Sequence, residues 1–109
     1  MPTAKLIVMY PAPKDVDAFE RAYSAEHIPM AAPIFQAAGA TKAVLSKVTG
    51  APAGASPFHR IAEIHFPSME ILNACTSSKQ GQDALAHARQ ISNGGVPIVL
   101  IASEDVVTF

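Results

Sequence analysis

The chain has 109 residues, of which 50% are hydrophobic and 16% charged, with a net charge of −1. That length suits one domain, and the sparse, balanced charge excludes a phosphate-binding basic surface and hence nucleic acid as a partner. The single cysteine, Cys75, excludes an internal disulfide framework and fits a reducing, cytoplasmic setting.

Met1 leads into Leu6–Tyr10, an apolar run too short for a signal peptide core. No stretch approaches the roughly 20 apolar residues that cross a membrane, so no membrane partner is expected. The same run is β-prone and closed by Pro11 and Pro13, which predicts a first strand. A helix is expected to begin near Asp15–Asp17, where Asp17 and Glu20 have the spacing of an acidic capping box. Val16, Phe19, Tyr23 and His27 recur at steps of three and four and mark one face. Pro29 disfavours a helical Ile28, so a kink or restart is expected there. A shorter helix then runs to about Ala38, with Gly39 at its end.

Thr41–Val48 alternates with some polar positions, as an edge strand does. Gly50–Pro57 reads as a mobile loop of small residues, and Phe58–Phe66 as a third strand ended by Pro67. Ser68 is a fitting N-cap for a helix whose apolar stripe is Met69, Leu72 and Cys75. Ser77 and Ser78 interrupt it before a second piece carrying Ala84, Leu85, Ala88 and Ile91. Gly94-Gly95 is a stop, Val96–Ala102 is the last strand, and Val106–Phe109 suggests an extension.

The order is β-α-β-β-α-β, the ferredoxin-like α+β pattern, with a four-stranded antiparallel sheet whose first and third strands are central. Two helices cover only one face of such a sheet. The first and last strands do not alternate apolar and polar residues, as strands with one face in water should. A second copy stacked on the open face resolves this, so a homodimeric α/β barrel is expected, with residues 1–109 as its single domain.

His27 is the leading candidate for chemistry. It follows Phe19 and Tyr23 on the helix side that must face the sheet, which puts an imidazole at the rim of an apolar space. Such a group is suited to moving a proton near neutral pH; it would equally satisfy backbone carbonyls freed by Pro29. On the third strand His59, Glu63 and His65 share one face and form a second, polar cluster on the barrel-facing side, with Glu63 and His65 close enough to hydrogen-bond. A polar network at an interface accounts for the cluster better than catalysis. The histidines at 27, 59, 65 and 87 lack metal-ligand spacing, and no phosphate-cradling glycine motif occurs. Neither a metal nor another cofactor is therefore expected. Tyr10 and Tyr23 offer hydroxyls to a ligand, while Cys75 reads as an inert core thiol.

Phe19, Tyr23, His27 and Pro29, after a strand ending at Tyr10, resemble the F-x-x-x-Y-x-x-x-H-x-P signature of the EthD family. Ile61–Glu70 is similar to that family's E-x-x-F strand end and S-x-E helix start, and Ser78 with Gly81 resembles its small-residue break. Beyond Gly81, where the family often has an acidic residue, this chain reads Ala84-Leu85-Ala86-His87. The resemblance implies a dimeric α/β barrel with an apolar pocket between sheet and helices. It also implies a setting in small-molecule degradation, since the family is named for ether breakdown beside a mono-oxygenase. Wider relatives include cofactor-free mono-oxygenases, lactone isomerases and polyketide cyclases or decarboxylases.

Three functions stay open on this reading. One is a cofactor-independent enzyme, an oxidoreductase, isomerase or decarboxylase, acting on a small apolar molecule. In it His27 shuttles a proton, Tyr10 or Tyr23 orients a polar group, and Phe19, Phe35 and Phe66 form apolar walls. The second is an oxidoreductase-associated accessory protein that binds a pathway compound without transforming it. The third is a haem-binding protein using one histidine.

Overall fold

The structure, a computed structural model, describes residues 3–109. Its elements are β1 (Thr3–Pro11), α1 (Val16–Ala22), a π-helical turn (Tyr23–His27), α2 (Ile28–Ala37), β2 (Lys42–Lys47), β3 (Phe58–Phe66), α3 (Met69–Ser77), α4 (Lys79–Ile91) and β4 (Ile98–Glu104). The strands form one antiparallel sheet in the order β2-β3-β1-β4, so the ferredoxin-like pattern holds and β1 and β3 are central.

Strand periodicity sorts the residues by face. Ala4, Leu6, Val8 and Tyr10 of β1 and Ala62, Ile64 and Phe66 of β3 are buried under the helices. Phe19 and Tyr23 cover them from one side, Leu72, Cys75 and Ala88 from the other. This is one continuous apolar core, in which a fully buried leucine contributes about 1.5–3 kcal/mol.

The helix ends follow local chemistry. Asp15, rather than Asp17, caps α1: its carboxylate accepts from the Ala18 N–H at 3.0 Å, and Asn93 holds its backbone through two further bonds. Ser68 caps α3 through the Ile71 N–H. Ser78 does two jobs at the break: its hydroxyl donates to the Cys75 carbonyl at 2.6 Å and accepts from the Gly81 N–H at 3.0 Å. A Cβ at Gly81 would lie 1.9 Å from the Cys75 carbonyl oxygen, so only glycine permits this tight turn between helices.

Beyond the Asp15 cap, three expectations about the backbone are corrected. Ile28 stays helical, with φ −60° and ψ −48°, and its N–H bonds back to the Tyr23 carbonyl. The turn has widened to i→i+5 bonding, which relieves the clash that Pro29 would cause in an α-helix. Val106–Phe109 does not extend β4; these residues lie exposed. The third correction is on β3. The β1–β3 register shifts between Tyr10 and Pro11, which pair with Arg60 and Phe58, so His59 is the extra residue of a bulge. It therefore does not share the face of Glu63 and His65 but turns toward α1, edge-on to Phe19 with ring centroids 5.6 Å apart.

The opposite face of the sheet carries no helix. Across it run the rows Val44-Glu63-Ile7-Leu100 and Ser46-Ile61-Met9-Ile98. Val44, Ile98 and Leu100 are exposed there. At one end Lys5 binds Glu63 at 2.6 Å and Glu104 at 3.4 Å, and His65 lies 3.6 Å from Glu104. The structure thus links Glu63 and His65 through Lys5 and Glu104, not by a direct hydrogen bond. No helix among the described residues is long and apolar enough to cross a membrane.

Candidate functional site

The π turn positions the site. In an α-helix a step of four residues overshoots one turn by about 40°, and the wider turn takes up that drift. Phe19, Tyr23 and His27 therefore form a ladder: Phe19 and Tyr23 stack at 17° with centroids 5.5 Å apart, Tyr23 and His27 at 19° and 6.1 Å. Tyr10, from β1, stands edge-on to all three rings. Such aromatic pairs add about 0.5–1.5 kcal/mol each beyond their buried area.

His27 is 8% exposed, the buried histidine of the core. Its Nε2 faces the Tyr10 hydroxyl at 3.4 Å, and its Nδ1 lies 2.9 Å from Nδ1 of His87 on α4, with the two rings stacked at 12°. One proton serves the Nδ1–Nδ1 contact, with one ring donating and the other accepting; two facing N–H groups would repel. Burial first, and the neighbouring His87 second, hold the His27 imidazole down at about 4. At neutral pH the ring is therefore uncharged. Burial also pushes the Tyr10 hydroxyl up, so it stays protonated.

Beside His27 opens a cleft of about 60 Å³ between α2 and the β2–β3 edge of the sheet. Tyr23 and His27 close one end, with Ile28, Phe35, Leu45 and Ile64 along the walls. Four alanines, Ala31, Ala32, Ala43 and Ala62, make the room. A second hollow of about 260 Å³ shares Ala32, Phe35, Ala43 and Ile64 and leads past Gln36 and Lys42 to the surface. A larger groove of about 530 Å³ runs between α2 and the α3–α4 break. Its one titratable group is Cys75, whose thiol burial pushes up, away from the reactive thiolate. Of these three spaces the smaller cleft is the one lined by an imidazole.

Of the residues singled out in the sequence, His27, Tyr23 and Phe35 line this cleft. Tyr10, Phe19 and Phe66 lie behind it in the core, where Tyr10 reaches His27 but the cleft does not reach Tyr10. His59, Glu63 and His65 stand elsewhere: His59 at α1, the other two on the open face.

Two partners escaped the sequence reading. His87 supplies the second imidazole from the stretch that lacks the expected acid. Glu20 accepts two bonds from Arg60, at 3.1 and 2.7 Å, and lies 3.2 Å from His59 Nε2. The Arg60 guanidinium holds the Glu20 carboxyl down at about 2 and also lies 5.2 Å over the Tyr23 ring. An arginine in an otherwise apolar, helix-facing strand register was the available signal, because such a group requires an anionic partner. Among the described residues no group of three or more His, Cys, Asp or Glu side chains is placed to hold a metal ion.

Comparison with known proteins agrees with this architecture. An uncharacterized 11.0 kDa protein of Rhodococcus erythropolis, encoded in the thcB-thcC intergenic region, is 25% identical over 103 residues, covering 94% of this chain and 97% of that protein. The crystal structure of an ethyl tert-butyl ether d (EthD) family protein from Bacillus halodurans matches with a TM-score of 0.84 at 25% identity, over 94% of this chain and 99% of that one. A dimeric ferredoxin-like protein of unknown function from Jannaschia shares the fold at a TM-score of 0.68 and 15% identity, over 95% of this chain and 99% of its own. The EthD domain model matches residues 12–90, and the chain belongs to that family.

Proposed function

We propose that this chain binds a small, largely apolar molecule in the cleft beside His27, and that His27 moves a proton to or from it. The observation that carries the reading is a neutral, buried imidazole at the end of an apolar cleft, in line with a second imidazole. The 3.4 Å contact from Nε2 to the Tyr10 hydroxyl is long, so a turn of the ring brings Nε2 to a ligand atom in the cleft without the loss of a strong bond. A proton gained at Nε2 leaves through Nδ1 to His87, which is only half-buried and passes it to water.

The family and the thcB-thcC location of the Rhodococcus relative support a place in the breakdown of small molecules beside an oxidoreductase, with breakdown of an ether as one form. The same location also favours a second reading, a protein that carries a pathway compound without transforming it.

The working unit is a homodimer. An antiparallel sheet face exposing Val44, Ile98 and Leu100 is an unfavourable surface for water, and a second copy of the same face covers it by two-fold symmetry. The dimeric ferredoxin-like neighbour supports this.

Native mass spectrometry before and after denaturation tests the reading. The expected result is a dimer that releases an apolar compound on unfolding. Turnover of that compound by the purified protein, reduced about 10²–10⁴-fold in His27→Ala, identifies the enzyme. Turnover unchanged by His27→Ala removes the proton-transfer role, and retention of the compound with no turnover selects the carrier.

A further inference from the structure

The Tyr23 hydroxyl is the one buried side-chain polar atom among the described residues that has no hydrogen-bond partner. Its ring is held rigidly, stacked between Phe19 and His27 and covered by Arg60, and the residue is 2% exposed. Leaving a buried hydroxyl unpaired is costly. Tyr10, the other tyrosine, meets His27, whereas Tyr23 lines the cleft and meets nothing.

We propose that the cleft is built for a neutral compound with a carbonyl group on an apolar body, the carbonyl oxygen accepting a hydrogen bond from Tyr23 Oη. The proposal rests on the cleft being a small-molecule site and adds to it the class of molecule. The charge balance sets the first requirement. No acidic or basic side chain other than His27 lines the cleft, and the Arg60 guanidinium nearby is already committed to Glu20. An ionised ligand would lose its water there with no counter-charge to replace it. The unpaired donor sets the second: a buried O–H without a partner, on a residue that lines the cleft, calls for an acceptor. A ligand hydroxyl would bring a further proton, whose one acceptor in the cleft is the His27 imidazole that the proposed proton transfer needs free. A carbonyl oxygen supplies lone pairs and no donor. The apolar body then lies along Phe35, Ala43 and Ile64 toward the outer hollow.

A matched pair of probes tests this: cyclohexanone and methylenecyclohexane, which differ in C=O against C=CH2. Binding of each to the full chain and to Tyr23→Phe is measured by ligand-detected NMR titration. The expected result is cyclohexanone bound about tenfold more tightly than the hydrocarbon by the wild type, with Tyr23→Phe binding the two alike. The carbonyl stretch of bound cyclohexanone should also move to lower frequency in the wild type, a readout that does not depend on the variant folding. Equal binding of both probes by the wild type, a preference that survives Tyr23→Phe, or an unshifted carbonyl stretch overturns the proposal while keeping the cleft as a binding site. Failure of both probes to bind the wild type overturns the binding site itself.

Discussion

The two faces of the sheet are built from the same strands and obey different rules. On the helix face, Leu6, Val8 and Tyr10 are sealed under aromatic and aliphatic side chains, and among the described residues the Tyr23 hydroxyl is the one buried side-chain polar atom left without a partner. On the open face, Ile7 and Met9 point the other way and meet apolar edges that remain exposed, with an ionic group of Lys5, Glu63, His65 and Glu104 at one end. The first face is finished by folding. The second is left open by folding; in the proposed dimer a second copy covers it, and the charged end gives that encounter a register.

Substitutions at adjacent β1 positions break this contrast most sharply. Leu6→Ala should destabilise the fold by about 2–5 kcal/mol, through lost burial and the cavity left behind, with association retained while the chain is folded. Ile7→Glu should do the reverse. It places a charge at the centre of the open face and should weaken dimerisation by at least about 100-fold, or roughly 3 kcal/mol, with little change in monomer stability. Chemical denaturation and light scattering separate the two effects.

Acid titration sharpens the comparison within the helix face. The His27 imidazole is held near 4 by burial, so between its unfolded value of 6.5 and about 4 the unfolded chain binds the extra proton and the folded one does not. Stability from this source is complete above pH 6.5 and falls as pH drops toward 4, by about 2–3 kcal/mol. His27→Gln should flatten that window. Glu20, held near 2 by Arg60, contributes stability above its unfolded value of 4.5 that is lost as pH falls toward 2. Because the carboxylate is partly solvated, Glu20→Gln should cost only about 1–2 kcal/mol at neutral pH. Denaturation curves from pH 8 to pH 2.5 resolve the two windows. The smallest expected effect is a gain: Tyr23→Phe removes an unpaired buried hydroxyl and should raise stability by about 1 kcal/mol, or Tm by about 4 °C.

Local chemistry made most of the framework legible. Pro11 and Pro67 end strands and Ser68 and Ser78 cap helices, whereas α4 ends at Ile91 with Ser92 as its C-cap, ahead of the Gly94-Gly95 stop expected there. The step-of-four spacing that put Phe19, Tyr23 and His27 on one face is realised, although by a π turn that periodicity alone does not encode. What stayed hidden depends on tertiary placement. His87 lies 60 residues from His27, and only the packing of α4 beside the π turn brings the rings together. His59 was assigned by strict alternation, which a single-residue bulge on β3, at His59 itself, reverses. Asp15 displaced Asp17 as the cap because Asn93, from the far end of the chain, pins its backbone.

The account turns on His27 being a neutral imidazole in contact with a ligand cleft. Imidazole NMR of the ¹⁵N-histidine-labelled protein, titrated from pH 8 to pH 3.5 with and without cyclohexanone, tests this most directly. The predicted result is a His27 signal that remains neutral until about pH 4 and shifts when the ketone is added. A His27 that titrates near 6.5 and ignores the ketone would contradict the account.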